Sequence, residues 1–334
     1  MLDGVGRRGS SFSRHRTIRR SQEEGELRRE GRRRFILPGR QALGNDLEPY
    51  DLVGRRGIAE LQGNHEDSPS PNEGFGTYRE GVCTVLVAAS TACFPDLTLH
   101  QVMERLNDLE YSRVEIQLNE QGGHLKPSDV LADVHHAIAI CQSTLRMDVV
   151  GYEMIFDPND PTYFDHFEAC CKLAKGTKVV NVIVESSERG TPFNEEVERL
   201  RKLVGIAQNE GVRVSIKTMA GCLSEDPDTV TVLCDNAPGL GLTLDPSHYI
   251  CGPFAGRNYD KLMKYVHSVH LRDTSPSQLQ VLVGQGEADF GRIIQMLEKV
   301  HYDRALVVHM QQLPDIDFSS EMRKMRLLLE SLIL

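Results

Sequence analysis

Residues 212–217 read Val-Arg-Val-Ser-Ile-Lys, and residues 241–245 read Gly-Leu-Thr-Leu-Asp. Each is a short apolar run that closes on a charged side chain, and the stretch between them, near 227–236, carries helical spacing. This strand–helix–strand unit recurs in both directions. Candidate strands occupy 83–89, 113–118, 148–155 and 178–184 before it, and 267–272 and 305–309 after it. Helical patterns lie near 98–109, 128–145, 161–175, 194–210, 257–265, 289–300 and 319–332. Thr98, Ser128 and Asp289 precede apolar periodicity, as helix N-caps do. Near-continuous apolar strands suit a parallel sheet covered on both faces. Eight such units from residue 81 to 334 match the ~250 residues of a closed eight-fold barrel. The expected fold is therefore α/β, a (β/α)8 TIM barrel over 79–334, with an open doubly wound sheet as the competing arrangement.

The charge is unevenly spread. The chain has 334 residues and a formal net charge of −10, yet residues 1–40 hold twelve Arg, no Lys and five acidic side chains. Residues 81–334 instead carry twelve more acidic than basic groups. The head has few clustered hydrophobics and includes Ser68-Pro69-Ser70-Pro71, so residues 1–78 are expected to be a disordered basic segment. Arg33-Arg34-Phe35-Ile36-Leu37 faintly resembles a twin-arginine signal, but Pro38, Gly39 and Arg40 end the apolar run before an h-region can form. No run approaches the ~18–20 apolar residues of a membrane helix. Eight cysteines show no CxxC pair, which fits reduced thiols and a cytoplasmic protein. The acidic body argues against nucleic acid as a partner.

In such barrels chemistry sits at the C-terminal ends of the strands. Here those ends present Glu115 or Gln117 after the second strand, Glu185 after the fourth and Lys217 after the fifth. Asp245 and His248 follow the sixth, His270, Arg272 and Asp273 the seventh, and His309 the eighth. One polar strand end is ordinary; four consecutive strands ending in Lys, Asp, His and His predict a shared charged mouth. The histidines at 135, 136, 166, 267 and 301 fall on no motif and read as surface or supporting residues.

The stretches Leu242-Thr-Leu-Asp245-Pro-Ser-His248, Val269-His270-Leu-Arg-Asp273 and Gly284-Gln-Gly286-Glu-Ala-Asp-Phe290 resemble the xylose isomerase-like barrel superfamily. That group includes sugar-phosphate isomerases and epimerases, inosose dehydratases, hydroxypyruvate isomerases and type IV apurinic endonucleases. The resemblance implies one divalent metal, held by a Glu, an Asp, a His and a second Glu from strands five to eight, the two Glu also moving the proton. Asp245 and His270 match the Asp and His, and His248 matches a substrate-contacting His. Lys217 and His309 stand where the two Glu are expected. The endonuclease branch would need further His and carboxylate ligands, and residues 274–283 contain neither, so DNA cleavage is not expected.

Two arrangements of the altered site remain open on the residues. In one, Asp245, His270 and His309 bind Zn, Mn or Fe(II), with Lys217 as proton carrier or substrate clamp. In the other, Lys217 fills the metal's place and pairs with Asp245. A Schiff-base role for Lys217 is a third option. Glu115, Glu185 and Arg272 are substrate-binding candidates, with ordinary ion pairing as the alternative for each. The short Gly284-Gln-Gly286 loop lacks the GK[ST] and GxGxxG patterns, so no nucleotide cofactor is expected. The resulting expectation is an isomerase, epimerase or dehydratase that moves a proton beside the carbonyl of a small polyol or sugar, with Lys217 and His248 as the catalytic pair. A homo-oligomer is compatible with it. The alternative is a non-catalytic sugar-binding or scaffold barrel that has lost its acid–base Glu pair.

Overall fold

A computed structural model describes residues 85–333 apart from Gly123 and Arg146. The basic segment expected over 1–78 lies outside the described residues. Eight strands, β1 (Leu86–Ser90), β2 (Arg113–Asn119), β3 (Asp148–Ile155), β4 (Asn181–Glu185), β5 (Arg213–Lys217), β6 (Leu240–Leu244), β7 (Val266–Leu271) and β8 (Ala305–Val308), pair in sequence order. Every pairing is parallel, and β8 closes on β1 through Leu86–Ala305 and Ala89–Val308. The sheet is a closed (β/α)8 barrel, as the repeated strand–helix unit predicts.

The helices bury their apolar stripes against the outside of this sheet. They are α1 (Leu99–Asp108), α2 (Pro127–Ala132), α3 (Val134–Gln142), α4 (Tyr163–Gly176), α5 (Phe193–Asn209), α6 (Pro227–Asn236), α7 (Ser247–Ile250), α8 (Phe290–Lys299) and α9 (Phe318–Ile333). In α8, Phe290, Ile293, Ile294 and Leu297 recur at helical spacing and are all buried, each contributing about 1.5–3 kcal/mol by leaving water. Thr98 caps α1 in a reciprocal capping box with Gln101, and the Asp289 carboxylate accepts from the Arg292 amide. Ser128 does not act as a cap. It lies inside α2, which opens at Lys126-Pro127, and its amide and hydroxyl donate to Glu120 at 2.6 and 2.7 Å. The single helix expected over 128–145 is broken at Asp133, whose extended backbone ends α2 and whose side chain caps α3. The region near 257–265 forms a 3-10 turn over Asp260–Tyr265, while α7 arises directly after β6. No helix among the described residues is long and apolar enough to cross a membrane.

The inside of the barrel differs from the outside. Ala88, Ala305 and Val307, with Val150 against them, form a small apolar cluster of their own. Beside it, Ser215 Oγ lies 2.7 Å from Thr243 Oγ1 and donates to Asn181 Oδ1 at 3.2 Å. Small and hydroxylic residues fill the lumen, and the charged residues stand above them at one end. The cysteines at 93, 141, 170, 171, 222, 234 and 251 are free thiols, and all but Cys251 are buried.

Candidate active site

Strand periodicity turns alternate residues of each strand into the lumen. That places Glu153, Lys217, Asp245, His270, Arg272 and His309 together, all less than a tenth exposed. Lys217 Nζ lies 2.5 Å from Glu153 Oε1 and 3.2 Å from His309 Nε2. Arg272 donates to Asp245 Oδ2 at 2.6 Å and to His309 Nδ1 at 3.3 Å. Asp245 Oδ1 accepts the Ser247 amide at 3.1 Å and the Ser247 hydroxyl as well. The rings of His270 and His309 stack, with centroids 4.5 Å apart and planes 14° from parallel.

The electrostatics follow from these pairs. Burial by itself would raise the Asp245 carboxyl, but the Arg272 guanidinium, with His248, Ser247 and Lys217 behind it, holds it well below the usual carboxylate range. Glu153 behaves alike: burial opposes its charge, and Lys217 and then His309 overcome that and keep it ionised. His309 is pushed down to about 3, first by burial and then by the Lys217 ammonium, so its ring is neutral. Arg272 can only donate, so Nδ1 of that ring accepts and the proton sits on Nε2, facing Glu153 Oε2 at 3.3 Å. The close approach of Lys217 to Nε2 is then a contact between two donors, held in place by the carboxylate they share.

His248 and Glu185 flank this centre from either side of β5. Burial lowers the His248 imidazole and favours its neutral form; Asp245 opposes that, and Arg272 and Lys217 add to it. Its Nδ1 accepts the Ala220 amide at 3.2 Å, leaving the proton on Nε2, 3.7 Å from Asp245 Oδ2. Glu185 pairs in register with Lys217 on the neighbouring strand and is half-buried. Burial raises its pKa, and Lys217 only partly offsets that. Arg199 fixes the backbone here, donating to the Glu185 carbonyl at 3.0 Å while gripping Glu196.

Glu115 lies one side-chain layer deeper, fully buried, with Oε1 2.8 Å from His270 Nε2. The two are not aligned for a hydrogen bond. Both Glu115 oxygens and both His270 nitrogens lack a hydrogen-bond partner among the described residues. Asp273, the last residue of the His-Leu-Arg-Asp motif, faces away from the centre. Its carboxylate accepts the amides of Thr274, Gly284 and Gly286. A Cβ at Gly286 would stand 2.0 Å from Asp273 Oδ1, so the Gly-Gln-Gly loop is shaped to close on that carboxylate.

The structure therefore brings Lys217, Asp245, His248, His270, Arg272 and His309 to one mouth, with Glu185 at its edge and Glu115 beneath. It adds Glu153 and Gln117, whose amide donates to Glu153 Oε2 at 2.9 Å. Lys217 pairs with Glu153, and it is Arg272 that takes Asp245. Glu153 was not among the candidates because β3 continues through Met154 and Ile155, so no polar residue ends the run. The available signal was the alternation of Gly151 and Glu153 with the apolar Tyr152 and Met154.

One donor atom each from Glu153, His270 and His309 lies within 4.8 Å of the others, a His/Glu cluster of the kind that can hold a metal ion. Asp245 is turned to Arg272 and Ser247 and is not in that set. The donor types suit a transition metal, but the seat is taken: the Lys217 ammonium already touches Glu153 and His309. A doubly charged ion ~4 Å from an ammonium is repelled by about 8 kcal/mol at an effective dielectric near 20. As arranged, with Lys217 charged, these residues do not fit a bound divalent cation.

A closed parallel barrel with its polar cluster at the C-terminal strand ends defines the (β/α)8 class. Residues 151–326 match the family model of the xylose isomerase-like TIM barrel, and the chain belongs to that family. Among solved structures, a xylose isomerase domain protein from Alicyclobacillus acidocaldarius is similar at 15% identity, covering 75% of this chain and 98% of that one with a TM-score of 0.61. D-allulose 3-epimerase from Methylomonas sp., solved in complex with D-allulose, is similar at 11% identity over 74% and 97% of the two chains, TM-score 0.59. An IolI protein with a bound zinc atom is similar at 16% identity over 75% and 98%, TM-score 0.57. At such identities the likeness speaks for a sugar isomerase/epimerase-like fold. Comparison with curated proteins finds no match.

Proposed function

We propose that this barrel is an isomerase or epimerase of a small polyhydroxylated carbonyl compound, a sugar or its phosphate. It moves a proton beside the carbonyl with fixed side-chain cations standing where the resemblance sets a metal. The observation that carries this reading is the seat of Lys217, 2.5 Å from Glu153 and 3.2 Å from His309. As a proton leaves the carbon, charge develops on the carbonyl oxygen, and buried, preorganised cations are effective at stabilising such charge. Lys217 and Arg272 supply two of them. Glu185, lifted by burial, accepts the proton, and neutral His248, with its hydrogen on Nε2, returns one. Glu153 and Asp245 hold the two cations in place, and His309 separates them.

Proton transfer at carbon is read directly as exchange of substrate C–H for C–D in heavy water, followed by proton NMR over a panel of ketoses, aldoses and polyol carbonyls. Wild-type protein is expected to exchange one position, with no loss on adding chelator. His248→Gln should lower that rate by about 10²–10⁴-fold, the usual worth of a positioned acid or base. Saturable sugar binding with no exchange on any compound would overturn the catalytic reading in favour of a sugar-binding barrel, which the Lys and His at the two expected Glu positions also accommodate.

A further inference from the structure

The opposite mouth of the barrel is built from residues with no part in that chemistry. Where the strands begin, a cavity of about 490 Å³ opens among Arg113 of β2, Lys178 ahead of β4, Arg213 of β5 and Arg304 ahead of β8. Asp303 is the only carboxylate among the described residues that line it. Four bases to one acid is a local reversal in a barrel whose residues 81–334 carry a surplus of twelve acids.

The pairing is also incomplete. Arg113 reaches Asp148 only at 3.9 Å and Arg304 reaches Asp303 only at 4.0 Å. Lys178 and Arg213 have no carboxylate partner among the described residues. The charges of Arg304 and Arg213 act on His267, which also lines the cavity. Burial, then Arg304 and Arg213, push that imidazole down to about 4.

A buried donor lies within this ring of charge. Asn181, 6% exposed, lines the cavity, and its Oδ1 accepts from Ser215. Its Nδ2 has no hydrogen-bond partner among the described residues. A buried N–H left without a partner costs about 1–3 kcal/mol, and an oxyanion would satisfy it while neutralising the cations above. The cavity is larger than a lone oxyanion needs, and Val149, Val179 and Val180 supply apolar wall; Val180 is 55% exposed.

We propose that this N-terminal mouth is a second binding site, for a phosphate monoester with a small organic body. The guanidinium forks of Arg113, Arg213 and Arg304 suit a tetrahedral oxyanion, Asn181 meets one of its oxygens, and the valines take the organic part. This site stands independently of the reaction at the other mouth.

Titration calorimetry of the full chain at low ionic strength, with phenyl phosphate and with inorganic phosphate, tests it. Phenyl phosphate has no hydroxyl or carbonyl for the opposite mouth to act on. The expected result is saturable binding of phenyl phosphate, weaker binding of inorganic phosphate to the same residues, and loss of both on raising salt. The Lys178→Ala/Arg213→Ala double variant, altered only at exposed positions, should bind phenyl phosphate at least tenfold more weakly, while the joint replacement of Lys217 and Glu153 by Met, which leaves no buried charge stranded, should bind it unchanged. Asn181→Asp should abolish binding; if that buried change prevents folding, the exposed pair still decides. No saturable binding of either probe would overturn the proposal, as would binding that survives the Lys178/Arg213 change and disappears when Lys217 and Glu153 are both Met. Equal affinity for the two probes would overturn the assignment of an ester.

Discussion

The two mouths of the barrel handle positive charge in opposite ways. At the C-terminal mouth, Lys217 and Arg272 are buried and each is matched by a carboxylate, Glu153 and Asp245. At the N-terminal mouth, Lys178 and Arg213 are exposed and unmatched by any carboxylate among the described residues, around a cavity. Buried matched charges are rigid and costly to disturb, because removing one strands the other without solvent. Exposed unmatched charges cost the fold little and leave a field for something else to use. On the two proposals made above, one end serves chemistry that needs fixed groups and the other the capture of an ion.

The sharpest way to break this contrast is to strand a buried cation. Glu153→Ala or Asp245→Ala should each cost about 3–5 kcal/mol of stability, read as a lower denaturation midpoint. Replacing Lys217 and Glu153 together by Met should recover most of that loss. A cost near zero for either single change would mean the pairs are not formed.

Acid should separate the mouths next. An unfolded imidazole takes up its proton near 6.5, whereas His309 in the fold resists until about 3. Between those values the unfolded chain binds more protons, so His309's contribution is complete above 6.5 and is lost as the pH falls through the window. From pH 6.5 to 5 that amounts to about 2 kcal/mol from this residue, and His267 adds to the same trend down to about 4. His309→Gln should flatten the midpoint-against-pH curve by about one proton and leave the His267 share in place. An unchanged slope would refute a buried neutral His309.

The smallest effect belongs to the N-terminal mouth. Arg213→Ala should change stability by no more than about 0.5 kcal/mol, as exposed substitutions away from packing usually do. A multi-kcal loss in thermal or chemical denaturation would show that this end, too, is held together by its charges.

Much of this was legible in the sequence, for physical reasons that differ by element. The barrel could be read because its strands are buried on both sides and its helices on one, giving two clean periodicities. Strands five to eight announced the mouth because each closes an apolar run with a polar residue, Lys217, Asp245, His270 or His309. Glu153 was hidden because β3 runs two apolar residues further, and only its alternation with Tyr152 and Met154 points inward. The pairing of Lys217 with Glu153 instead of Asp245 could not be read either, since it depends on which long side chain crosses the lumen once Arg272 has claimed Asp245. Likewise, nothing in the run 128–145 marks Asp133 as a helix break, because an Asp on a solvated face and an Asp N-cap look alike until the chain turns. The cations of the N-terminal mouth are scattered at 113, 178, 213 and 304 and become neighbours only when the barrel closes.

The central claim is that an ammonium occupies the seat between Glu153 and His309. Elemental analysis of protein purified without chelator and then dialysed against Zn or Mn, wild type beside Lys217→Glu, tests it most directly. The account predicts no stoichiometric metal in the wild type and about one ion per chain in Lys217→Glu, where a carboxylate replaces the cation. One tightly held ion in the wild type, lost in Asp245→Ala, would contradict it.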